Sequence, residues 1–400
     1  MDRAPPWLGA LRDERLPAVV VDLDAFDRNV RAVAEAVRAA GPLPVRVATK
    51  SVRVPDLLRR IAAADPVYRG WMTYSAHETR ALWEDGFDDF LLAYPAVGRD
   101  EIAALRAVHD GGGRVAAVVD GVDGLRALAS GMEGVARPFR AVLDVDLSLR
   151  PLGGAVHAGV RRSPLRSLDD VRSLYAAATS LRAVTVCGFM GYDAQLAGLQ
   201  DASPYHPVMN VAARAVRALS RRSVPTRRRA VAELLRGLGC PLEIANGGGS
   251  GSIDHAPREP WLTEVTAGSA FLAPHLFDYF RNVRFEAASW IALRAARASD
   301  AGFVTCAGGG YPASGAAGPD KLLLPVWPRG ARLVDAEGGG EVQTPVMLAP
   351  GTSVAIGDPV LFRHAKAGEA AERFASYLLV ASDRLVGSAP TYRGRGWCFG

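Results

Sequence analysis

The chain has 400 residues, 49% hydrophobic and 22% charged, with a formal net charge of +5. That length supports two domains and a large buried core, one unit of which could be a barrel of about 250 residues. The modest charge argues against a nucleic-acid partner. No apolar run approaches the roughly 20 residues of a membrane span. Residues 1–17 carry charges throughout and lack the apolar stretch of a signal peptide, so the expectation is a cytoplasmic protein without a membrane partner.

From residue 45 to about 270, short β-branched runs alternate with helical patterns. Strands are predicted at Val45–Ala48, Trp71–Thr73, Phe90–Ala93, Val115–Val119, Ala141–Val145, Thr185–Met190, Leu242–Ala245 and Leu262–Val265. Helices are predicted at Pro55–Ala64, Ala76–Glu84, Asp100–Val108 and Leu168–Ala178. Eight strands with intervening helices spell an α/β fold, a (β/α)8 TIM barrel. The unit after the seventh strand is short and glycine-rich. An earlier run, Ala18–Val21, precedes a helix from Ala25 to about Ala40 and is free to pair outside the barrel.

Beyond residue 285 the pattern changes to apolar runs cut by Gly, Pro and Asp: Ser289–Leu293, Phe303–Cys306, Ala331–Val334, Glu341–Leu348, Ser353–Ile356 and Tyr377–Val380. The domain reading is a barrel over residues 25–280 and a β-rich domain from residues 1–24 plus 281–400. Arg227, Arg228 and Arg229, with Arg221 and Arg222 nearby, read as the solvated face of a helix that opens after Pro225 and Thr226. Cys187, Cys240, Cys306 and Cys398 are far apart and suggest neither a zinc site nor a disulfide framework.

Only three of the 47 cationic side chains are lysines: Lys50, Lys321 and Lys366. Such survivors mark places where arginine cannot serve. A Schiff base is one, since it needs an amine that loses its proton and attacks a carbonyl. Lys50 follows the first barrel strand and points at the barrel mouth, where active sites lie. Burial there would favour its neutral form. An ion pair with Asp144 or Asp146 is the alternative. Other strand ends carry Tyr74, His77, Tyr94, Tyr192-Asp193, Asn246 and Glu264. Gly247–Gly251 follows the seventh strand, where glycines let backbone N–H groups approach an anion. A plain turn is the alternative there.

The segment Pro17–Asp24, Ala48-Thr49-Lys50, Tyr94-Pro95, the glycine loop, Thr263-Glu264 with Gly268-Ser269, and Gly357-Asp358 together resemble the alanine racemase-like, fold-type III pyridoxal 5'-phosphate (PLP) enzymes. Within them the chain resembles the D-threonine aldolase and D-serine dehydratase branch. The resemblance spans about residues 15–395. It implies a PLP barrel followed by a β-rich domain, a homodimer, and a small amino-acid substrate. It implies PLP on Lys50 as a Schiff base, with the phosphate at Gly248, Gly249 and Ser250, helped by Gly268 and Ser269. Arg162, in Gly159-Val160-Arg161-Arg162, resembles the arginine beside the cofactor's phenolic oxygen, with Arg161 as its neighbour. Tyr192 is a candidate for cofactor contact and catalysis.

Two departures stand out. The branch carries a metal site near its C-terminus, a histidine followed two residues later by Cys or Asp. Here His364 is followed by Lys366, whose ammonium cannot ligate a metal. The expectation is no metal, with the Lys366 ammonium in its place and His364 and Lys366 as candidate catalytic residues; Glu369 as a replacement metal ligand beside His364 is the alternative. Second, Tyr192-Asp193-Ala194-Gln195 lacks the histidine of the family's Tyr-x-Gly-His. The expected activity is a lyase, aldolase or dehydratase, acting on a D-β-hydroxy amino acid. A racemase or epimerase, with Tyr311 or a partner-chain tyrosine as second base, and a non-catalytic PLP carrier are the alternatives.

Overall fold

A computed structural model describes residues 3–151, 154–299 and 302–399. Strand β1 (Ala18–Asp22) runs into helix α1 (Leu23–Ala40), which starts where the Asp22 side chain accepts the N–H groups of Asp24 and Ala25. Eight parallel strands then close into a barrel: β2 (Val45–Ala48), β3 (Tyr68–Thr73), β4 (Phe90–Leu92), β5 (Val115–Val119), β6 (Phe139–Asp144), β7 (Val184–Gly191), β8 (Ile244–Gly247) and β9 (Glu264–Ala267). Helices α2 (Pro55–Ala64), α3 (Ala76–Glu84), α4 (Arg99–Asp110), α5 (Val122–Gly131), α6 (Leu168–Thr179), α7 (Ala194–Ala197) and α8 (Met209–Gly237) follow the first six strands in turn, two of them after β7. Pro55 opens α2 at a position whose N–H has no partner in any helix.

The barrel interior is filled by Leu91, Ala116, Val118, Val142, Cys187, Met190 and Ile244. Below them, Arg46 makes a buried bidentate ion pair with Glu264, at 2.7 and 2.8 Å. The barrel is thus a packed core that opens at one end, the C-terminal ends of its strands.

The second sheet orders its strands β13-β14-β11-β10-β1-β16-β17, with β15 pairing both β10 and β12. These are β10 (Ser289–Ser299), β11 (Phe303–Ala307), β12 (Leu324–Trp327), β13 (Arg332–Leu333), β14 (Gln343–Met347), β15 (Pro359–Arg363), β16 (Ser376–Ala381) and β17 (Arg384–Pro390). Strand β1 lies between β10 and β16, outside the barrel, so the N-terminal strand belongs to this sheet.

The structure corrects the readings at residues 353–356 and around Pro225. Residues 353–356 form no strand; Ile356 is 69% exposed on a turn, and the strand is β15 instead. Between β8 and β9 there is no α-helix, only the 3-10 turns Ser250–Ser252 and Ala256–Arg258. Pro225 does not precede a helix but lies inside α8, and the arginine cluster is not simply a solvated face. Arg221, Arg222 and Arg229 are exposed. Arg227 reaches the carbonyls of Ser148 and Arg166, both at 3.1 Å, and Arg228 is fully buried. All four cysteines are free. Among the described residues no helix is long and apolar enough to cross a membrane.

Candidate active site

The strand ends converge on a cavity of about 390 Å³ lined by Lys50, Tyr94, Arg162, Tyr192, Gly248, Gly249, Ser250, Ser269 and Lys366, among others. That volume suits a small organic ligand. Lys50 lies in a single 3-10 turn, Thr49–Ser51, directly after β2. The turn is pinned to the next strand by Thr49, whose hydroxyl donates to the Met72 carbonyl at 3.0 Å. The Lys50 side chain is exposed at the open mouth in the single chain, not buried. Its Nζ donates to the Tyr94 hydroxyl at 3.1 Å. Burial would raise the Tyr94 phenol, but the Lys50 ammonium and then Arg162 outweigh it, and the net shift is downward.

Neither anticipated carboxylate pairs with Lys50. Asp146 accepts the Ser148 N–H at 2.8 Å and pairs with Arg150 at 2.9 Å. Asp144 ends β6, and burial pushes its carboxyl from 3.8 up to about 7, with Asp120 adding and Arg162 opposing. The folded chain therefore holds this proton more tightly than the unfolded one. Stability from it is complete below about pH 4 and is lost as pH rises through about 7. Asp144→Asn should match the parent protein in urea unfolding near about pH 4 and exceed it by on the order of a few kcal/mol at about pH 8. Equal stability of the two at the higher pH would contradict this. Glu78 is also raised to about 7 by burial, but it is common to both proteins and cancels.

Arg162, not Arg161, lines the cavity. Its guanidinium carbon lies 5.8 Å from the ring centres of both Tyr94 and Tyr192. The loop that carries it is held from below by Arg227. Tyr192 follows β7; burial pushes its phenol up to about 12, Asp193 adds, and Arg162 opposes.

The glycine loop is built for close approach. Gly248 has φ +77°, and a Cβ there would stand 3.0 Å from the Ala256 Cβ. The Ser250 hydroxyl accepts the N–H groups of Gly268 and Ala270, both at 3.1 Å, tying the ends of β8 and β9 together. Ser51 and Ser269 hydroxyls meet at 3.3 Å, which brings the lysine turn into the same cluster. Ser250 and Ser269 each begin a helical turn, where a backbone N–H has no acceptor within the turn. This cradle could hold an anion such as a phosphate, and Gly268 lies just behind it.

His364 does not join the cavity lining. It is 7% exposed, and its Nδ1 lies 2.7 Å from the Lys366 carbonyl and 3.1 Å from the Lys366 N–H. Lys366 does reach the cavity, as does Glu369. Among the described residues no three His, Cys, Asp or Glu side chains gather where they could hold a metal ion. Tyr311 meets Phe374 edge-to-face at 5.2 Å, with the Arg373 guanidinium over its ring at 5.8 Å, and does not line the cavity.

Arg53 also lines the cavity and was not anticipated. It sits over the Tyr74 ring at 4.8 Å, pairs with Glu372, and donates to the Lys50 carbonyl at 3.0 Å. The sequence signal for it is its position three residues after Lys50. Its left-handed backbone, φ +55°, is visible only in the structure.

Comparison with solved structures places this architecture. The chain has the alanine racemase-like fold. D-threonine aldolase from Filomicrobium marinum superposes with a TM-score of 0.78 at 18% identity, covering 96% of this chain and 97% of that one. D-threo-3-hydroxyaspartate dehydratase from Delftia sp. HT23 gives 0.73 at 19% identity, covering 95% and 98%. Alanine racemase from Bacillus anthracis gives 0.63 at 13% identity, covering 94% and 98%. Comparison with protein-family models and with curated protein sequences gives no match.

Proposed function

We propose that this chain is a PLP-dependent lyase acting on a D-β-hydroxy amino acid, with Lys50 as the residue that carries the cofactor. One observation carries the reading: a rare lysine at the end of the first barrel strand shares one cavity with a glycine-built anion cradle and Arg162. The fit is chemical as well as spatial. The Gly248–Ser250 and Gly268–Ser269 backbone would receive the phosphate, and Arg162 would face the phenolic oxygen. Bound PLP withdraws electrons from a bond at the substrate Cα.

The remaining work falls to this chain's own groups. The Lys50 amine, when not bound to the cofactor, would be the base for a proton at Cα. Tyr94 holds Nζ at 3.1 Å and, with its lowered pKa, can pass a proton to or from it. Arg53, anchored over Tyr74, supplies a cation for the substrate carboxylate. Lys50 and Arg162 are exposed in the single chain. Proton removal at Cα needs water kept out, so the reading includes a homodimer that covers the mouth.

The aldolase and dehydratase structures among the neighbours support a lyase over a racemase. A racemase needs a second base on the opposite face of the substrate; this chain's own Tyr311 is packed away from its cavity, which leaves a partner-chain tyrosine as the base that reading requires. A carrier would need only the lysine and the phosphate cradle, which leaves Lys366, Glu369 and Arg53 without a task. The test is to incubate the PLP-loaded protein with D- and L-serine, D- and L-threonine and D- and L-alanine, and to identify products. Pyruvate, 2-oxobutanoate, or glycine with acetaldehyde, from the D-hydroxy substrates alone, is the expected result. Interconversion of alanine enantiomers without these products would contradict it.

A further inference from the structure

The loop after β15 meets the lysine turn with no room to spare. A Cβ on Gly368 would stand 1.9 Å from the Lys50 carbonyl oxygen, so only glycine lets the loop seat there. The flanking residues Lys366 and Glu369 both reach the cavity and are held to each other. Lys366 Nζ donates to the Ser314 hydroxyl at 2.6 Å and pairs with Glu369 Oε1 at 3.1 Å. Ser314 in turn donates its N–H and its hydroxyl to Glu369, at 2.8 and 2.6 Å. Burial would raise the Glu369 carboxyl, but Ser314 and then Lys366 outweigh it and keep it below its usual value, so it stays ionised.

An ammonium has three donors, and two are used here; a carboxylate has about four acceptor sites, and three are used. The pair therefore offers the cavity one donor and one acceptor side by side. That pattern matches an alcohol, which accepts and donates through one oxygen. A second carboxylate would meet the Lys366 proton but also the Glu369 charge. A divalent metal does not fit this donor set. Lys366 has no lone pair to give while protonated, His364 Nδ1 is taken by the Lys366 backbone, and Glu369, with three acceptor sites occupied by Ser314 and Lys366, keeps one to offer where a divalent ion needs several. A neighbour of this fold, D-threo-3-hydroxyaspartate dehydratase, has been solved as a variant in the metal-free form.

We propose that the Lys366–Glu369 pair is a metal-free recognition site for the β-hydroxyl of the substrate, selecting neutral β-hydroxy amino acids over hydroxy dicarboxylic ones. This rests on the lyase reading and deepens it.

The test uses the PLP-loaded protein, with loading on Lys50 confirmed first by borohydride reduction and peptide mass. Failure to load would overturn the lyase reading, and this proposal with it. On loaded protein, the cofactor absorbance is titrated with D-serine, D-alanine and D-threo-3-hydroxyaspartate, with and without EDTA, and bound metals are measured by elemental analysis. We expect no stoichiometric divalent metal, and a preference for D-serine over D-alanine of roughly tenfold or more that EDTA leaves unchanged. Lys366→Met should collapse that preference while D-alanine affinity holds, a split that a purely structural role would not produce. Glu369→Gln should raise affinity for D-threo-3-hydroxyaspartate by removing the repelling charge. The proposal fails if EDTA abolishes the D-serine preference and a divalent ion restores it. It also fails if Lys366→Met weakens both amino acids equally, or if both variants leave all three affinities unchanged.

Discussion

Lys50→Arg should lower turnover by at least about 10³-fold while the chain stays folded. Arginine keeps the positive charge but cannot lose its proton near neutral pH, so it can neither attack a carbonyl nor act as a base. The fold has little to lose. The Lys50 side chain is exposed, its Nζ makes one hydrogen bond, to Tyr94, and a guanidinium can donate to the same phenol. Exposed substitutions of this kind stay within about 0.5 kcal/mol. The thermal midpoint should therefore move little while product formation vanishes. A Lys50→Arg protein with parental turnover would remove Lys50 from the chemistry.

Arg228→Met should cost about 3–5 kcal/mol of stability, the largest structural effect expected of any single substitution near the site. Arg228 is fully buried, as is Asp193, and Glu259 is 6% exposed. The guanidinium donates to the Gly191 carbonyl at 3.2 and 2.7 Å, to Glu259, and lies 3.1 Å from Asp193. Both Asp193 oxygens lack a hydrogen-bond partner, so the Arg228 charge is what offsets that buried carboxylate. Methionine fills similar volume but leaves two carboxylates uncompensated in the interior. The damage would reach the site. Gly191 precedes Tyr192, and a Cβ on Gly247, the residue before the Gly248 cradle, would lie 2.5 Å from the Arg228 side chain. Urea unfolding measures the loss. A change under about 1 kcal/mol would mean that the carboxylates are protonated or solvated and that Arg228 is not what balances them.

The barrel was legible because its strands are buried on both faces and read as short continuous apolar runs. Val45–Ala48 and Val115–Val119 match the structure residue for residue. The last two barrel strands sit two residues later than predicted. Their polar ends, Asn246-Gly247 and Thr266, point to the cavity and interior and break the apolar signal. In the second sheet, Pro325 and Gly387 interrupt β12 and β17 and Pro359 opens β15, which hides all three, while Val354 and Ile356, read as part of a strand, lie in a segment with no regular structure.

At the site, scarcity singled out Lys50 and Lys366, and local spacing singled out the glycine loop. What sequence could not supply was pairing across long separations. Arg228 meets partners 31 and 35 positions away, Lys50 meets Tyr94 rather than Asp144, and only the loop geometry decides that Arg162 turns inward and Arg161 outward. His364 matched a motif position, yet its ring is turned to the Lys366 backbone, which no spacing rule reveals.

The most direct test of the central claim uses the lysine count. The protein is incubated with PLP, reduced with borohydride, digested and mapped by mass spectrometry. With Lys50, Lys321 and Lys366 as the only lysines in the chain, every possible side-chain attachment site can be scored at once. The account predicts one pyridoxyl group per chain, on the peptide containing Lys50, and none on the other two lysines. A label on Lys321 or Lys366, or no label at saturating PLP, would contradict it.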